Sequence, residues 1–121
     1  MNRMEATTWV LSVCANHLRL SQAKTLSVLV SAALSVQRVT VSQIGRLIGS
    51  VATCKARIKQ AERFIANRRV EVSDAMRGVV QRLLGRQGKR KLLIALDWTQ
   101  IRDFHTLSAC AVIRGRGVPL L

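Results

Sequence analysis

Asp97 is the residue of this sequence whose type and position best suit a role in metal binding or catalysis, because it directly follows the apolar run KLLIAL. A charge at the end of a buried strand costs free energy unless a cation or hydrogen-bond donors satisfy it. Carboxylate oxygens are hard ligands of the kind that magnesium prefers. An aspartate can also simply cap the turn after a strand, and Asp103, in a polar loop, is expected to be of that ordinary kind. Asp97 is therefore a candidate metal ligand with a structural alternative.

The other residue types that bind metals or act as nucleophiles are scattered. Cys14, Cys54 and Cys110 are odd in number and far apart, without a Cys-x-x-Cys pair or a nearby histidine. They are expected to be reduced thiols, and no zinc site is predicted. His17 and His105 are isolated, which favours ordinary surface or core positions over ligands or bases.

Basic residues dominate the charge of this chain of 121 residues, in which twenty Lys and Arg stand against six Asp and Glu for a formal net charge of +14. Such a charge predicts a large anionic partner, either nucleic acid or a membrane surface. The longest uncharged stretch, residues 25–37, is shorter than the roughly 20 apolar residues that span a bilayer. Glu5, just before the first apolar run, argues against a secretory signal. We expect nucleic acid as the partner, no membrane contact, and a cytoplasmic, nucleoid-associated protein.

The basic residues concentrate in one part of the chain, since twelve of the twenty lie from Lys55 to Lys91. In the predicted helix CKARIKQAERFI, three of them recur every four residues and share one face. Like charges at that spacing repel one another unless an anion neutralises them, which favours contact with phosphate, although a solvated basic face has the same pattern. The predicted DNA-binding residues are Lys55, Arg57, Lys59, Arg63, Arg68 and Arg69.

Helical periodicity runs through the first part of the chain, to about residue 86. A first helix is expected over residues 4–18, with a core face formed by Met4, Leu11, Cys14 and Leu18. Ser21 is predicted to cap a second helix that runs to about residue 37 and forms the centre of a small bundle. A last helix is expected over residues 71–84.

Between these helices, a short helix and a longer one have the outline of a helix-turn-helix. Ser42 is expected to cap the short helix, and Gly49 to end it with a left-handed turn. The longer helix, about residues 51–67, has a predicted core stripe of Cys54, Ile58, Ala61 and Ile65. Many helical hairpins share this outline without touching DNA, so the interpretation depends on the basic face.

From Lys91 the apolar pattern becomes that of strands. The run 91–97 predicts a strand buried on both faces, and residues 105–114 predict a second strand. After a tight turn at residues 115–117, a third strand is expected to begin at Val118. The predicted fold class is α+β, with a helical DNA-binding region over 1–87 and the start of a sheet domain over 88–121.

Two segments resemble insertion-sequence transposases of the insertion-sequence-four group. The segment ALDWTQIRDFHTLSACAVIRGRGVPLL resembles the start of their catalytic domain, in which Asp-Trp-Thr follows a hydrophobic strand and a Gly-Arg-Gly turn leads to Pro-Leu. The upstream CKARIKQAERFIANRRV resembles the family pattern Lys-x-Arg-Ile-Lys-x-x-x-Arg-Phe. Together the two segments cover roughly the second half of the chain.

The resemblance implies an RNase H-like catalytic domain in which an Asp-Asp-Glu triad holds two divalent ions, expected to be Mg²⁺. Asp97 would be the first triad member, and Trp98 and Thr99 would support the end of the strand. Two such ions can activate a water or a DNA 3′-hydroxyl and stabilise the leaving oxygen. The implied partner is duplex DNA at the terminal inverted repeats of a transposon, and the parent transposase is expected to be able to form a homodimer.

One departure from the family bears on activity. The family's second Asp and its Glu lie downstream, whereas no acidic residue follows Asp103 in this sequence. We therefore expect an incomplete sheet of two or three strands and an inactive N-terminal transposase fragment, either truncated or completed by frameshifting. Two alternatives stay open: a non-catalytic DNA-binding protein that occupies or blocks transposon ends, and a cationic protein that binds nucleic acid through charge alone.

Overall fold

The chain is α+β, with five helices followed by a three-stranded antiparallel sheet in the residues described by the computed structural model, 2–85 and 91–120. The helices are α1 Arg3–Cys14, α2 Leu20–Ala33, α3 Val41–Leu47, α4 Cys54–Ile65 and α5 Val72–Leu84. The strands are β1 Ile94–Ile101, β2 Phe104–Ile113 and β3 Arg116–Pro119. The predicted class and order of elements are confirmed.

The chain divides into two compact units, Met1–Gly78 and Val79–Leu121. Helix α5 begins in the first unit and ends in the second. The sequence-based division near residue 87 and most of the turn predicted at GRQGKRK fall outside the described residues.

Helix α1 begins at a reciprocal cap between Asn2 and Glu5. The Asn2 side chain accepts a hydrogen bond from the Glu5 backbone at 2.8 Å, and the Glu5 carboxylate accepts one from the Asn2 backbone at 2.9 Å. The predicted core position Met4 is wrong, because this side chain is 79% exposed. The buried face of α1 is a neighbouring one, on which 3.6-residue spacing aligns Ala6, Val10, Val13 and Cys14.

Helix α2 packs against α1, α3 and α4, which confirms its expected place at the centre of the bundle. It begins at Leu20, so the cap predicted at Ser21 is wrong; the extended residue Arg19 precedes the helix instead, and its backbone N–H donates to the Gln22 side chain at 3.3 Å. The helix also ends at Ala33 rather than near residue 37. Within residues 2–85 and 91–120, no helix is long and apolar enough to cross a membrane.

The first turns of α5 pack against the end of α1. A Cβ added at Gly78 would lie 1.9 Å from the Val13 carbonyl oxygen, so the backbones of the two helices touch at this glycine. One turn earlier, the Cys14 thiol donates to the Ala75 carbonyl oxygen at 3.8 Å. Burial raises the pKa of the Cys14 thiol, so its reactive thiolate is scarcer at neutral pH than it would be at the ordinary pKa of a cysteine.

The sheet has the order β1-β2-β3, and two-residue turns join its strands. Arg114 and Gly115, in the second turn, both have positive φ (51° and 75°), the pattern of a type I′ hairpin turn. The predicted first strand is confirmed, but its bounds of 91–97 and its burial on both faces are wrong. Strand β1 runs Ile94–Ile101, is exposed along its whole length and, among the described strands, pairs only with β2.

Candidate nucleic-acid interface

Helices α3 and α4 cross at very short range. A Cβ added at Gly45 would lie 2.5 Å from the Ile58 Cα, closer than two such carbons can approach. The absence of a side chain at Gly45 therefore sets how closely α4 lies on α3. Around this crossing a small core joins the three helices α2, α3 and α4 through the buried residues Leu29, Ile48 and Ala61.

Threonine side chains cap the N-terminal ends of α3 and α4. Thr40 accepts a hydrogen bond from the Gln43 backbone and Thr53 accepts one from the Ala56 backbone, each at 3.3 Å. The cap predicted at Ser42 is therefore wrong by two residues. Gly49 does not end α3 in a left-handed turn either, because Ile48 has already left the helix in an extended conformation (φ −60°, ψ 122°).

Two arginines from other helices bind the carbonyl end of α3. The Arg57 guanidinium, from α4, donates to the Ile48 carbonyl oxygen at 2.8 Å, and the Arg3 guanidinium, from α1, donates to the Leu47 carbonyl oxygen. Helix C-termini leave carbonyl groups unpaired and carry partial negative charge, so cationic donors are favourable there. The structure thus gives Arg57, a predicted DNA-binding residue, a contact inside the protein.

The face of α4 that points away from this core is basic. Lys55, Lys59 and Arg63 are all exposed, while Ala61 on the opposite side is fully buried. Lys59 forms an ion pair of 2.8 Å with Glu62, and both side chains are about half exposed. Exposed pairs of this kind contribute roughly 0–1 kcal/mol, so Lys59 can exchange Glu62 for a phosphate at little cost.

The core side of α4 differs in part from the predicted stripe. Cys54 is exposed and Ile65 is 63% exposed, so neither belongs to the core. Phe64 takes the place that the stripe assigned to Ile65, and packs partly buried against the cluster around Ala61. Helix α4 begins at Cys54 rather than near residue 51, and its first three residues are exposed.

Arg68 and Arg69 follow the end of α4 and are exposed. The Arg69 backbone N–H donates to the Asn67 side chain at 3.0 Å, and the Gln22 side chain donates to the Arg69 carbonyl oxygen at 3.4 Å. These contacts tie the backbone of the segment to itself and to α2. The two guanidinium groups therefore lie at one end of the basic face, on a backbone that these hydrogen bonds hold in place.

An uncharged flank of α4 was not singled out by the sequence pattern. Ala56 and Gln60 are exposed and lie one helical turn apart. They share a shallow hollow of about 270 Å³ whose lining also includes Thr25, Arg63, Phe64 and Asn67. The sequence could have indicated these two residues, because they lie beside the basic residues on a helix whose core side was already predicted.

Asp97 lies in the second unit, in the middle of β1 rather than at its end. Its partner on β2 is Ser108, and the strand continues four residues further, to Ile101. The Thr99 hydroxyl donates to the Asp97 carboxylate at 3.4 Å on the exposed surface of the sheet. Trp98 is 70% exposed, so it does not support the strand through burial.

Asp103 is the other acidic residue of the second unit, and it does not lie beside Asp97. Asp103 lies in the turn after Ile101, and four residues of extended strand alone span roughly 13 Å. Among residues 2–85 and 91–120, no three His, Cys, Asp or Glu side chains come together in a way that could hold a metal ion. The described residues therefore do not make up the ligand set of a two-metal site, which needs several carboxylate oxygens around ions roughly 4 Å apart.

Comparison of the chain with models of protein families, with curated proteins and with solved structures found no match. The features of the chain that bear on function are the geometry of the α3–α4 hairpin, the charge of α4 and the environment of Asp97.

Proposed function

We propose that this chain binds duplex DNA through the outward face of α4, as the DNA-binding part of a transposase. The observation that carries the proposal is the arrangement of Lys55, Lys59 and Arg63, three exposed cations on the side of α4 opposite its buried Ala61. Phosphate contacts by Lys and Arg release counterions from DNA and supply most of the affinity in such complexes.

The neighbouring helices support this proposal. In helix-turn-helix proteins the second helix of the pair lies in the major groove while the first braces it against the backbone. Here α3 packs closely under α4 at Gly45, and α2 completes the core of the same three helices. The turn, residues 48–53, is longer than the usual three or four residues of that motif, and Arg57 binds its first carbonyl.

A direct test measures the affinity of the purified chain for labelled duplexes by fluorescence anisotropy. Replacing Lys55, Lys59 and Arg63 together by Ala should weaken binding at least about tenfold at 0.1 M salt, because three phosphate contacts are lost. The matched control replaces three exposed cations of the second unit, Arg82, Lys91 and Arg116, by Ala. An equal loss in both triple variants would favour the competing function, binding through overall charge alone.

The link to transposases rests on the Asp-Trp-Thr segment around Asp97. In a complete enzyme of that kind, this exposed carboxylate would be one ligand of Mg²⁺, and the target would be the terminal inverted repeats of the element. The second candidate function is a non-catalytic protein that occupies or blocks those ends through the same α4 face. The coding DNA after Leu121 separates the two, since a continuation encoding a further Asp and a Glu supports the transposase.

A further inference from the structure

The basic face of α4 accounts for attraction to any duplex but not for a choice among sequences. Lys and Arg side chains on phosphates position a protein on DNA and carry no sequence information. Sequence is read by side chains that reach the base edges in the major groove. The exposed flank formed by Ala56 and Gln60 is uncharged and lies directly beside the cations.

Both residues are placed where a recognition helix meets bases. They lie in the first two turns of α4, and the N-terminal residues of such helices contact base edges. Ala56 lies about 140° round the helix from the buried Ala61, at roughly 100° per residue, so it faces outward. Because its side chain is a single methyl group, the helix backbone can approach the floor of the groove at this position.

The chemistry of the pair matches one kind of base pair. A glutamine amide carries one acceptor and two donors, and it can bond adenine N6 and N7 together. An alanine methyl makes apolar contact with the methyl group of thymine. The Gln60 amide forms no hydrogen bond with other residues of the described ranges, so both of its ends are available to a base.

We infer that Ala56 and Gln60 read A·T base pairs in the major groove while Lys55, Lys59 and Arg63 hold the flanking phosphates. This inference rests on the proposed function, and it adds the class of sequence that the site selects. The phosphate contacts set the affinity and its salt dependence, and the uncharged pair sets the preference among duplexes.

The test is a selection from random-sequence duplexes with the full chain, followed by sequencing of the bound pool. The wild-type chain should enrich adenine at one position and thymine nearby. Gln60→Ala should lower the discrimination at the adenine position by about tenfold, the value of a good bidentate contact, without changing the salt slope. Ala56→Ser should weaken the preference at the thymine position, because a hydroxyl replaces the apolar contact.

The matched control is Gln37→Ala, which removes an exposed glutamine after α2 and should leave the selected motif unchanged. Both α4 substitutions lie on the exposed face, and far-UV circular dichroism verifies that each variant is folded. A motif unchanged by Gln60→Ala, or a wild-type chain that binds duplexes without any base preference, overturns the inference and leaves the proposed function standing. A wild-type chain that binds no duplex overturns both.

Discussion

The Arg57 guanidinium of α4 donates a hydrogen bond from Nη1 to the Ile48 carbonyl oxygen, 2.8 Å away at the carbonyl end of α3. This contact spans the turn between the two helices and fixes where α4 begins relative to α3. A residue that the sequence pattern grouped with the predicted DNA-binding cations thus holds together the hairpin that presents them.

Arg57→Ala should lower the free energy of unfolding by about 1.5–3 kcal/mol, because a partly buried carbonyl loses a charged hydrogen-bond donor. Urea denaturation measures the change. The matched control is Lys55→Ala, two residues earlier on the exposed face, which should change stability by less than about 0.5 kcal/mol. Equal effects of the two substitutions would mean that the Ile48 contact contributes nothing to the fold.

Gly45→Ala should destabilise the first unit by about 1–3 kcal/mol, measured as a fall in the thermal midpoint. An alanine inside a helix ordinarily stabilises it relative to glycine by roughly 0.5–1 kcal/mol. Here the added Cβ would lie 2.5 Å from the Ile58 Cα, so overpacking reverses the sign. Gly49→Ala is the control, since a Cβ there meets nothing within 4 Å. A stabilised Gly45→Ala variant would show that α3 and α4 do not cross closely.

The cysteines should react at very different rates. In a Cys110→Ser background, a thiol reagent at neutral pH should modify the exposed Cys54 rapidly and Cys14 only when the protein unfolds. Burial raises the pKa of Cys14, so its reactive thiolate is scarce in the folded chain. Cys54→Ser should remove the fast phase. Rapid modification of Cys14 in the native protein would contradict its burial where the end of α1 packs against α5.

The same raised pKa predicts how stability depends on pH. The folded chain holds the Cys14 proton more tightly than the unfolded chain, so this contribution to stability is present at neutral pH. It is lost as the pH rises through the raised pKa. Cys14→Ala should abolish that part of the alkaline decrease, measured by urea denaturation at a series of alkaline pH values.

Much of the first unit could be predicted from sequence because helical periodicity is a strong signal over several turns. Helix ends are a weaker signal, since Thr40 and Ser42 are both good caps and only the contacts of the folded chain choose Thr40. The role of Gly45 depends on Ile58 in another helix, and that of Arg57 on the path of the chain at Ile48. Neither of these two contacts can be predicted from a local sequence pattern.

Asp97 shows a different limit of sequence reasoning. An apolar run followed by a carboxylate predicts a buried strand that ends at that residue, whereas β1 continues to Ile101 and pairs with β2 along its whole length. The hairpin register decides where a strand ends, and that register depends on the turn at Arg102 and Asp103. The residue type of a ligand can be read from sequence, but its surroundings cannot.

The chain of 121 residues should neither nick nor join DNA. Asp103, the other acidic residue of the second unit, is too far along the hairpin to share an ion with Asp97. The assay incubates a duplex with purified protein and Mg²⁺ or Mn²⁺ and looks for nicks on a denaturing gel. Nicks that disappear in Asp97→Ala would contradict this expectation. Nicks that persist in that variant would point to a contaminating nuclease.

The proposed role of α4 is tested most directly by the salt dependence of duplex binding. The logarithm of the association constant should fall linearly with the logarithm of salt concentration, with a slope of roughly 0.9 for each phosphate contact. The Lys55, Lys59 and Arg63 triple alanine variant should reduce that slope by about 2.7, while the Arg82, Lys91 and Arg116 control keeps the wild-type slope. A slope unchanged in the α4 variant would mean that the basic face of α4 is only solvated, and an equal reduction in both variants would mean binding through overall charge alone.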